Sequence, residues 1–344
     1  MIYSPNVNLM AAPLVVPASY VGLTSMIAPV VGVGFSFSTV ASLGYNRYVN
    51  AGGSLTLNEL LVKYINPSAG VYNWTIFDRL MSNNPGKQLQ FLLGFPADYL
   101  VSTATVGGAS FGGKSNMAPT DLVTYAAVIT AIVGRAKNTW GITGARWTIW
   151  GEWDTTGDYA GTIPQLVGVA KATYQAIKAI DSTAIVISPS LDSALSGNAL
   201  LTTYLATSDG SGGTGLTWCD AVAMHFYQPY LPDTPAQYEF TIRRLREANG
   251  YAKPVFLEEC GILASDPNAG INHARRLFIF AALGVQGYVG FSVDDPVEGY
   301  QISGYQTQWN YAANALIGSP TMSGCWINPN GTVTAVLNGT QYTI

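Results

Sequence analysis

Basic side chains are few and dispersed in this chain. Lys and Arg number 16 against 20 Asp and Glu, and the only close group is Arg243, Arg244 and Arg246. A net charge of −4 without a basic stripe argues against nucleic acid and anionic membranes as partners. Metal-ligating residues are also scarce: two histidines, His225 and His273, and three cysteines, Cys219, Cys260 and Cys325, with no CxxC pair. That leaves no zinc signature, and neither a metal nor a cofactor is expected. If Cys219 opens one strand and Cys260 follows the end of the next, about 20 Å separates them, beyond the roughly 7 Å a disulfide spans. Cys325 has either as a potential partner, with thiols as the default. Long hydrophobic runs are missing too. The apolar stretch MIYSPNVNLMAAPLVVPASYVGLTSMIAPVVGVGF lacks a basic start and carries Pro13, Pro17 and Pro29. It reads as neither a leader peptide nor a membrane span. GVGFSF (32–37) lacks the third glycine of a dinucleotide fingerprint, and no Gly-x-Ser-x-Gly elbow occurs.

What is present is apolar and aromatic: 48% hydrophobic and 12% aromatic residues, with only 10% charged. Such a chain is globular, and its surface must rest on Ser, Thr, Asn, Gln and Gly, which suits a neutral partner. Short β-type runs recur at 20–26, 30–37, 88–96, 145–152, 184–190, 219–227, 253–261 and 287–295, several separated by helical patterns. Eight strands alternating with helices predict a (β/α)₈ barrel over residues 1–318. Helices are expected at 120–140 with Thr120 as the N-cap, at 163–180, and at 235–250 ending at a glycine. The segment 38–87 is long and irregular. The tail 331–344 alternates and contains Asn-Gly, which predicts a short C-terminal β-hairpin extension (319–344) packed on the barrel.

The chemistry sits at strand ends. Of seven glutamates, Glu152, Glu258 and Glu259 fall at the C-terminal ends of the fourth and seventh predicted strands, the rim that carries active sites in such barrels. Side chains alternate along a strand, so Trp150 and Glu152 share a face, as do Val255, Leu257 and Glu259, and only one of Glu258 and Glu259 is expected to face the barrel axis. His225 and Tyr227 share a parity on the sixth strand and bring an imidazole and a phenol to the same rim. Two carboxyls among aromatic walls predict a sugar site, because cleavage of a glycosidic bond needs one carboxylic acid to protonate the leaving oxygen and one carboxylate to attack or to activate water. Trp150 or Trp153 beside Glu152 would desolvate it and favour its protonated form. Asp98 and Tyr99 line a subsite or pack; Asp294, Asp295 and Glu298 contact sugar or are ordinary loop charges. The glycine-rich stretch 106–116 reads as a mobile cover or a plain surface loop.

Several stretches resemble clan A glycoside hydrolases, most closely family 39-like enzymes of bacterial exopolysaccharide and biofilm-matrix loci. INPSAGVYNWTIFDRLM (65–81) is similar to the family's Pro, Gly-x-Tyr-x-Trp and Asp-centred helix start. FLLGFPADYL (91–100), the strand and helix of 147–181, DAVAMHFY (220–227) and KPVFLEECG (253–261) follow in order. The resemblance implies Glu152 as acid/base and Glu259 as nucleophile, with His225 and Tyr227 binding sugar hydroxyls or orienting the nucleophile and Glu258 in a slot where the family often has Thr. It also implies an Asn before the acid/base, where this chain has Gly151, and a large accessory β-domain, here missing or reduced to about the last thirty residues. The expected activity is a retaining hydrolase of a poly- or oligosaccharide, a bacterial exopolysaccharide by the resemblance. The rivals are a carbohydrate-binding barrel without catalysis, which Gly151 suggests, and a phage-borne depolymerase component. The expected location is extracellular or virion-associated, with the cytoplasm open.

Overall fold

A computed structural model describes residues 7–18, 20–24, 47–50, 62–83, 88–101, 108–110, 113–192, 194–227, 235–250, 252–291 and 306–344. Eight parallel strands form one sheet: β3 (Val21–Thr24), β4 (Arg47–Asn50), β5 (Gln88–Leu92), β6 (Arg146–Thr148), β7 (Ile185–Ile187), β8 (Val222–Tyr227), β9 (Val255–Gly261) and β10 (Gly287–Phe291). They run in the order β7-β6-β5-β4-β3-β10-β9-β8. The two ends of that order meet, through parallel bridges Ile187 to Ala221 and Leu191 to Met224. The amide of Ser188 donates to the Ala221 carbonyl at 2.9 Å and that of His225 to the Leu191 carbonyl at 2.8 Å. The sheet is a (β/α)₈ barrel. Seven of its strands overlap the alternating runs of the sequence; the second is Arg47–Asn50, inside the segment that looked irregular, while the run at 30–37 lies outside the described residues.

Alternation divides the strands between two cores. Outward residues such as Trp147, Val186, Val222, Met224, Phe226 and Leu257 belong to the large cluster between sheet and helices. Ile187, Ala221, Ala223 and Phe256 form a separate small cluster inside the barrel. On β9 the alternation is interrupted. Its register with β8 passes from Met224–Leu257 directly to His225–Glu259, and with β10 from Tyr288–Leu257 to Gly290–Cys260. One extra residue is therefore accommodated against both neighbours, a β-bulge.

The long helices follow their caps. Asp121, not Thr120, caps Leu122–Trp140, accepting from the amides of Val123 and Thr124, and Gly141 closes the helix in the left-handed conformation. Thr162 and Gln165 form a capping box at Ile163–Ile180. The third predicted helix runs Pro235–Ala248. Asp78, in the short helix Thr75–Asn83, accepts from Arg135 Nε at 3.0 Å and Trp140 Nε1 at 2.9 Å, which ties the second and third βα units together.

The tail is larger than a hairpin. β11 (Thr321–Ile327), β12 (Val333–Leu337) and β13 (Thr340–Thr343) form an antiparallel meander, and β1 (Val7–Asn8) and β2 (Leu14–Val15) both pair with β11. The β12–β13 turn is Asn338-Gly339, both at positive φ (49° and 80°), as a two-residue hairpin with the strands' twist requires. This sheet packs on the helix Ala269–Ala282, with Cys325 Sγ 3.8 Å from the Phe278 carbonyl. Cys219, Cys260 and Cys325 are buried free thiols. His273 is buried on that helix, its Nδ1 2.9 Å from Tyr288 Oη.

Candidate active site

The bulge on β9 decides what reaches the barrel mouth. Glu258 and Glu259 both turn inward, whereas strict alternation allows only one. Glu258 is buried against β5 and β6, where Thr148 Oγ1 and Gln90 Nε2 donate to its Oε1. Burial raises its carboxyl to about 7, against the opposing pull of Thr148, His225, Gln90 and Arg146. Glu258 thus belongs to the interior of the barrel, not to a sugar-binding surface. Glu259 stands above it. Tyr227 Oη donates to Glu259 Oε2 at 2.6 Å, and His225 Nδ1 lies 3.4 Å from the same oxygen. Burial raises the Glu259 carboxyl, offset by the imidazole and the phenol.

Glu152 comes from the segment beyond β6. Its backbone is left-handed, φ 46°, a conformation that costs a non-glycine residue about 1–3 kcal/mol and persists only when its surroundings impose it. The surroundings do. The Thr155 amide donates to the Glu152 carbonyl at 3.0 Å, the Ser190 amide to the Trp150 carbonyl at 2.9 Å, and the Trp153 amide to the Ser190 carbonyl at 3.3 Å. Strand parity therefore does not extend to Glu152, and it does not share a face with Trp150.

His225 joins the two carboxyls. Its Nδ1 is 2.8 Å from Glu152 Oε1, and its Nε2 is 3.0 Å from Ser190 Oγ. Burial alone would push the imidazole down, but Glu259 and Glu152 together outweigh it and lift the ring to about 10. When protonated, the ring donates from both nitrogens, to Glu152 and to Ser190. The donor atoms of Glu152, His225 and Glu259 all lie within 4.8 Å of one another. This is the one such group with metal-ligand spacing among the described residues.

The remaining expected site residues divide. Trp150 is fully buried, 5.3 Å from Phe95 and edge-on to Tyr159 at 5.2 Å, with its indole donating to the Asp158 carbonyl. Gly94 opposite has φ 94°, and a Cβ there would meet the Trp150 ring at 2.9 Å. Trp153 is buried against Tyr204. Both tryptophans are packing residues in this structure, and neither offers a face to a sugar. Asp98 Oδ1 accepts from the Lys114 amide at 2.9 Å, and Tyr99 bonds the Asn66 side chain. Those contacts join them to neighbouring loops and not to the carboxyl pair. Asp294, with Asp295 and Glu298, lies outside the described residues. The described part of the glycine-rich stretch is pinned: the Ser110 amide donates to the Gly157 carbonyl at 2.9 Å and Asn116 Nδ2 to the Thr156 carbonyl at 3.0 Å.

Sequence reading missed an acidic group around Glu152. Asp154 Oδ1 accepts from the Asp192 amide at 2.8 Å, and Asp158 Oδ2 from Thr155 Oγ1 at 2.6 Å. Burial, with the nearby Glu152 carboxylate adding to it, raises Asp158 and Asp192 to about 6. Ser190, which supports His225, was missed as well. The one available signal was position, since Ser190 ends the fifth predicted strand and Asp192 lies just beyond it.

No protein-family model matches the chain, and no curated protein matches it. Solved structures do. A glucosidase from Croceicoccus marinus superposes with a TM-score of 0.69 at 13% identity, covering 96% of this chain and 74% of that one. The fold is that of the glycoside hydrolase barrels. A monomeric β-xylosidase from Caulobacter crescentus gives 0.64 at 17% identity, covering 95% and 73% of the two chains. A family 39 glycoside hydrolase from Bacteroides cellulosilyticus gives 0.64 at 15%, covering 94% and 69%. Among the described residues, no helix is long and apolar enough to cross a membrane.

Proposed function

We propose that the protein is a retaining glycoside hydrolase that cleaves a poly- or oligosaccharide by double displacement. The observation that carries this reading is the spacing of Glu152 and Glu259, whose nearest carboxylate oxygens lie within 4.8 Å. Retaining enzymes hold their carboxyls about 5–5.5 Å apart, whereas inverting enzymes need about 6.5–9.5 Å to admit a water. In this reading Glu259 attacks the anomeric carbon while Glu152 protonates the departing oxygen, which gives a glycosyl ester on Glu259. Glu152 then takes a proton from water, and the water oxygen replaces Glu259 at the anomeric carbon. Tyr227 and His225 stabilise Glu259 as the carboxylate, and His225 orients Glu152. The low charge of the chain, 10% of residues, supports a hydroxyl-rich polymer such as a bacterial exopolysaccharide as substrate, met outside the producing cell or on a virion.

Gly151 supports a second reading, a barrel that binds carbohydrate without cleaving it. An asparagine at 151 would press on Leu92, whose Cδ2 would lie 3.0 Å from a Cβ there. One experiment separates the two. Intact mass spectrometry after exposure to a panel of activated 2-fluoro glycosides, followed by peptide mapping, is expected to find the adduct on Glu259. An adduct on Glu258 would overturn the assignment, and polysaccharide binding with neither adduct nor new reducing ends would establish the binding barrel.

A further inference from the structure

Thr155 has one hydroxyl hydrogen and two acceptors within reach. Its Oγ1 is 3.1 Å from the Glu152 carbonyl and 2.6 Å from Asp158 Oδ2. With Asp158 ionised, the hydrogen goes to the carboxylate, and the Glu152 carbonyl keeps only the Thr155 amide at 3.0 Å. With a proton on Asp158, the carboxylic acid donates to Oγ1, and the hydroxyl hydrogen is free for the Glu152 carbonyl. Only the protonated form satisfies both contacts.

The backbone that carries the carboxyl is fixed. Trp150 Nε1 donates to the Asp158 carbonyl at 2.9 Å, and the Ser110 amide to the carbonyl of neighbouring Gly157 at 2.9 Å. At the other end of the relay stands a residue that needs a clamp, because Glu152 holds φ 46°. We propose that Asp158 is a positioning residue that works in its protonated form, donating to Thr155 so that Thr155 donates to the Glu152 carbonyl and fixes the acid/base in its left-handed turn. This rests on the reading of Glu152 as acid/base.

The surroundings set when the proton is present. Burial favours the neutral acid most, and Glu152 on the same loop disfavours a second negative charge. Thr155, the Ser110 hydroxyl and His225 on β8 pull the other way. Asp192, after β7, also faces Asp158 and repels its charge. The balance places the carboxyl at about 6. The relay is complete below that pH and opens as pH rises through it.

The test compares Asp158→Asn, Asp158→Ala, Thr155→Ser and Thr155→Val with the wild type across pH. An asparagine amide donates to Oγ1 at every pH, so Asp158→Asn is expected to keep its activity above pH 7 where the wild type declines. Asp158→Ala removes the competing acceptor, so the hydroxyl hydrogen is expected to stay on the Glu152 carbonyl at every pH, as in Asp158→Asn. Thr155→Val is expected to lose about tenfold in kcat with little change in KM, the worth of one hydrogen bond, and Thr155→Ser to keep wild-type activity. An Asp158→Asn profile that declines above pH 7 as the wild type's does would overturn the proposal. Should no sugar be turned over even by the wild type, the glycosidase reading fails and the relay is still decided by NMR. The backbone shifts of Glu152 and Thr155 are expected to titrate with a midpoint near Asp158's own in the wild type and to stay flat in Asp158→Asn. Titration unchanged in that variant rules the relay out.

Discussion

Glu258 and Glu259 are adjacent on β9, yet both face the barrel interior, one bonded to Thr148 and the other to Tyr227. The bulge between their neighbours' registers makes this possible. It stacks a second carboxyl beneath the proposed nucleophile, and like charges that close cannot both ionise cheaply.

The burial of Glu258 makes stability depend on pH. The Glu258 carboxyl is raised to about 7 by burial, so its contribution is complete below the ordinary glutamate range and is lost as pH rises through 7. A shift of this size corresponds to a stabilisation on the order of 3 kcal/mol at acid pH relative to alkaline pH. His225, raised to about 10, works in the same direction over a higher window. Thermal unfolding is expected to give a higher Tm at pH 5 than at pH 8, and Glu258→Gln, which keeps the shape without the charge, to flatten the difference. A Tm that rises with pH in the wild type would show that Glu258 is stably ionised.

Tyr227 offers a sharper test of Glu259. The phenol lowers the Glu259 carboxyl against the burial that raises it. Tyr227→Phe removes the donor and nothing else, so Glu259 is expected to protonate at higher pH. The acidic limb of kcat/KM should move up by about one unit or more, with activity at pH 6 reduced roughly tenfold to a hundredfold, as for the loss of a charged hydrogen bond. An acidic limb left in place would remove Glu259 from the reaction or Tyr227 from its control.

The barrel was legible because its signals are local and repeated. Seven alternating runs and the helical spacing at 120–140 and 163–180 report on backbone geometry that neighbours in sequence determine. The second strand was not legible, since RYVN at 47–50 is too short to show a period. The carboxyls were legible by position at strand ends, but their directions were not. Parity counts residues along a strand, and a bulge at Glu258 or a left-handed turn at Glu152 breaks the count without any mark in composition. Trp150 and Trp153 misled for a related reason: an aromatic beside a rim carboxylate reads as a sugar platform, whereas here Gly94 admits the Trp150 ring into the core. The aspartates around Glu152 are brought together by contacts between loops, which no short window of sequence contains.

The two carboxyls should separate kinetically. Glu152→Gln removes the proton donor, and general acid catalysis is worth about 10²–10⁴-fold. Turnover of unactivated glycosides is therefore expected to fall by that range, while aryl glycosides whose leaving groups need no proton should still form the covalent intermediate on Glu259. Added azide, which needs no general base, is expected to rescue the second step as a glycosyl azide. Glu259→Gln should abolish the intermediate with either class of substrate. Equal losses for both variants on the activated substrate would contradict the division of roles.

Gly151 and Leu92 compete for one space. An added Cβ at 151 would meet Leu92 Cδ2 at 3.0 Å and Cδ1 at 3.6 Å, and the further atoms of an asparagine would press deeper. Gly151→Asn is therefore expected to destabilise by about 1–3 kcal/mol, the usual cost of overpacking. Leu92→Ala alone should cost about 2–5 kcal/mol through the cavity it leaves. Together the two changes fill one another's defect. A double-mutant cycle on unfolding free energy is expected to show a favourable coupling of about 1 kcal/mol or more. In the implied family an asparagine in this place holds the sugar 2-hydroxyl. The double variant is therefore also expected to gain kcat/KM on donors with a free 2-hydroxyl and not on 2-deoxy donors. A stable double variant with no such difference would mean that the sugar is oriented here without that contact, and that Leu92 is part of the native specificity of the site.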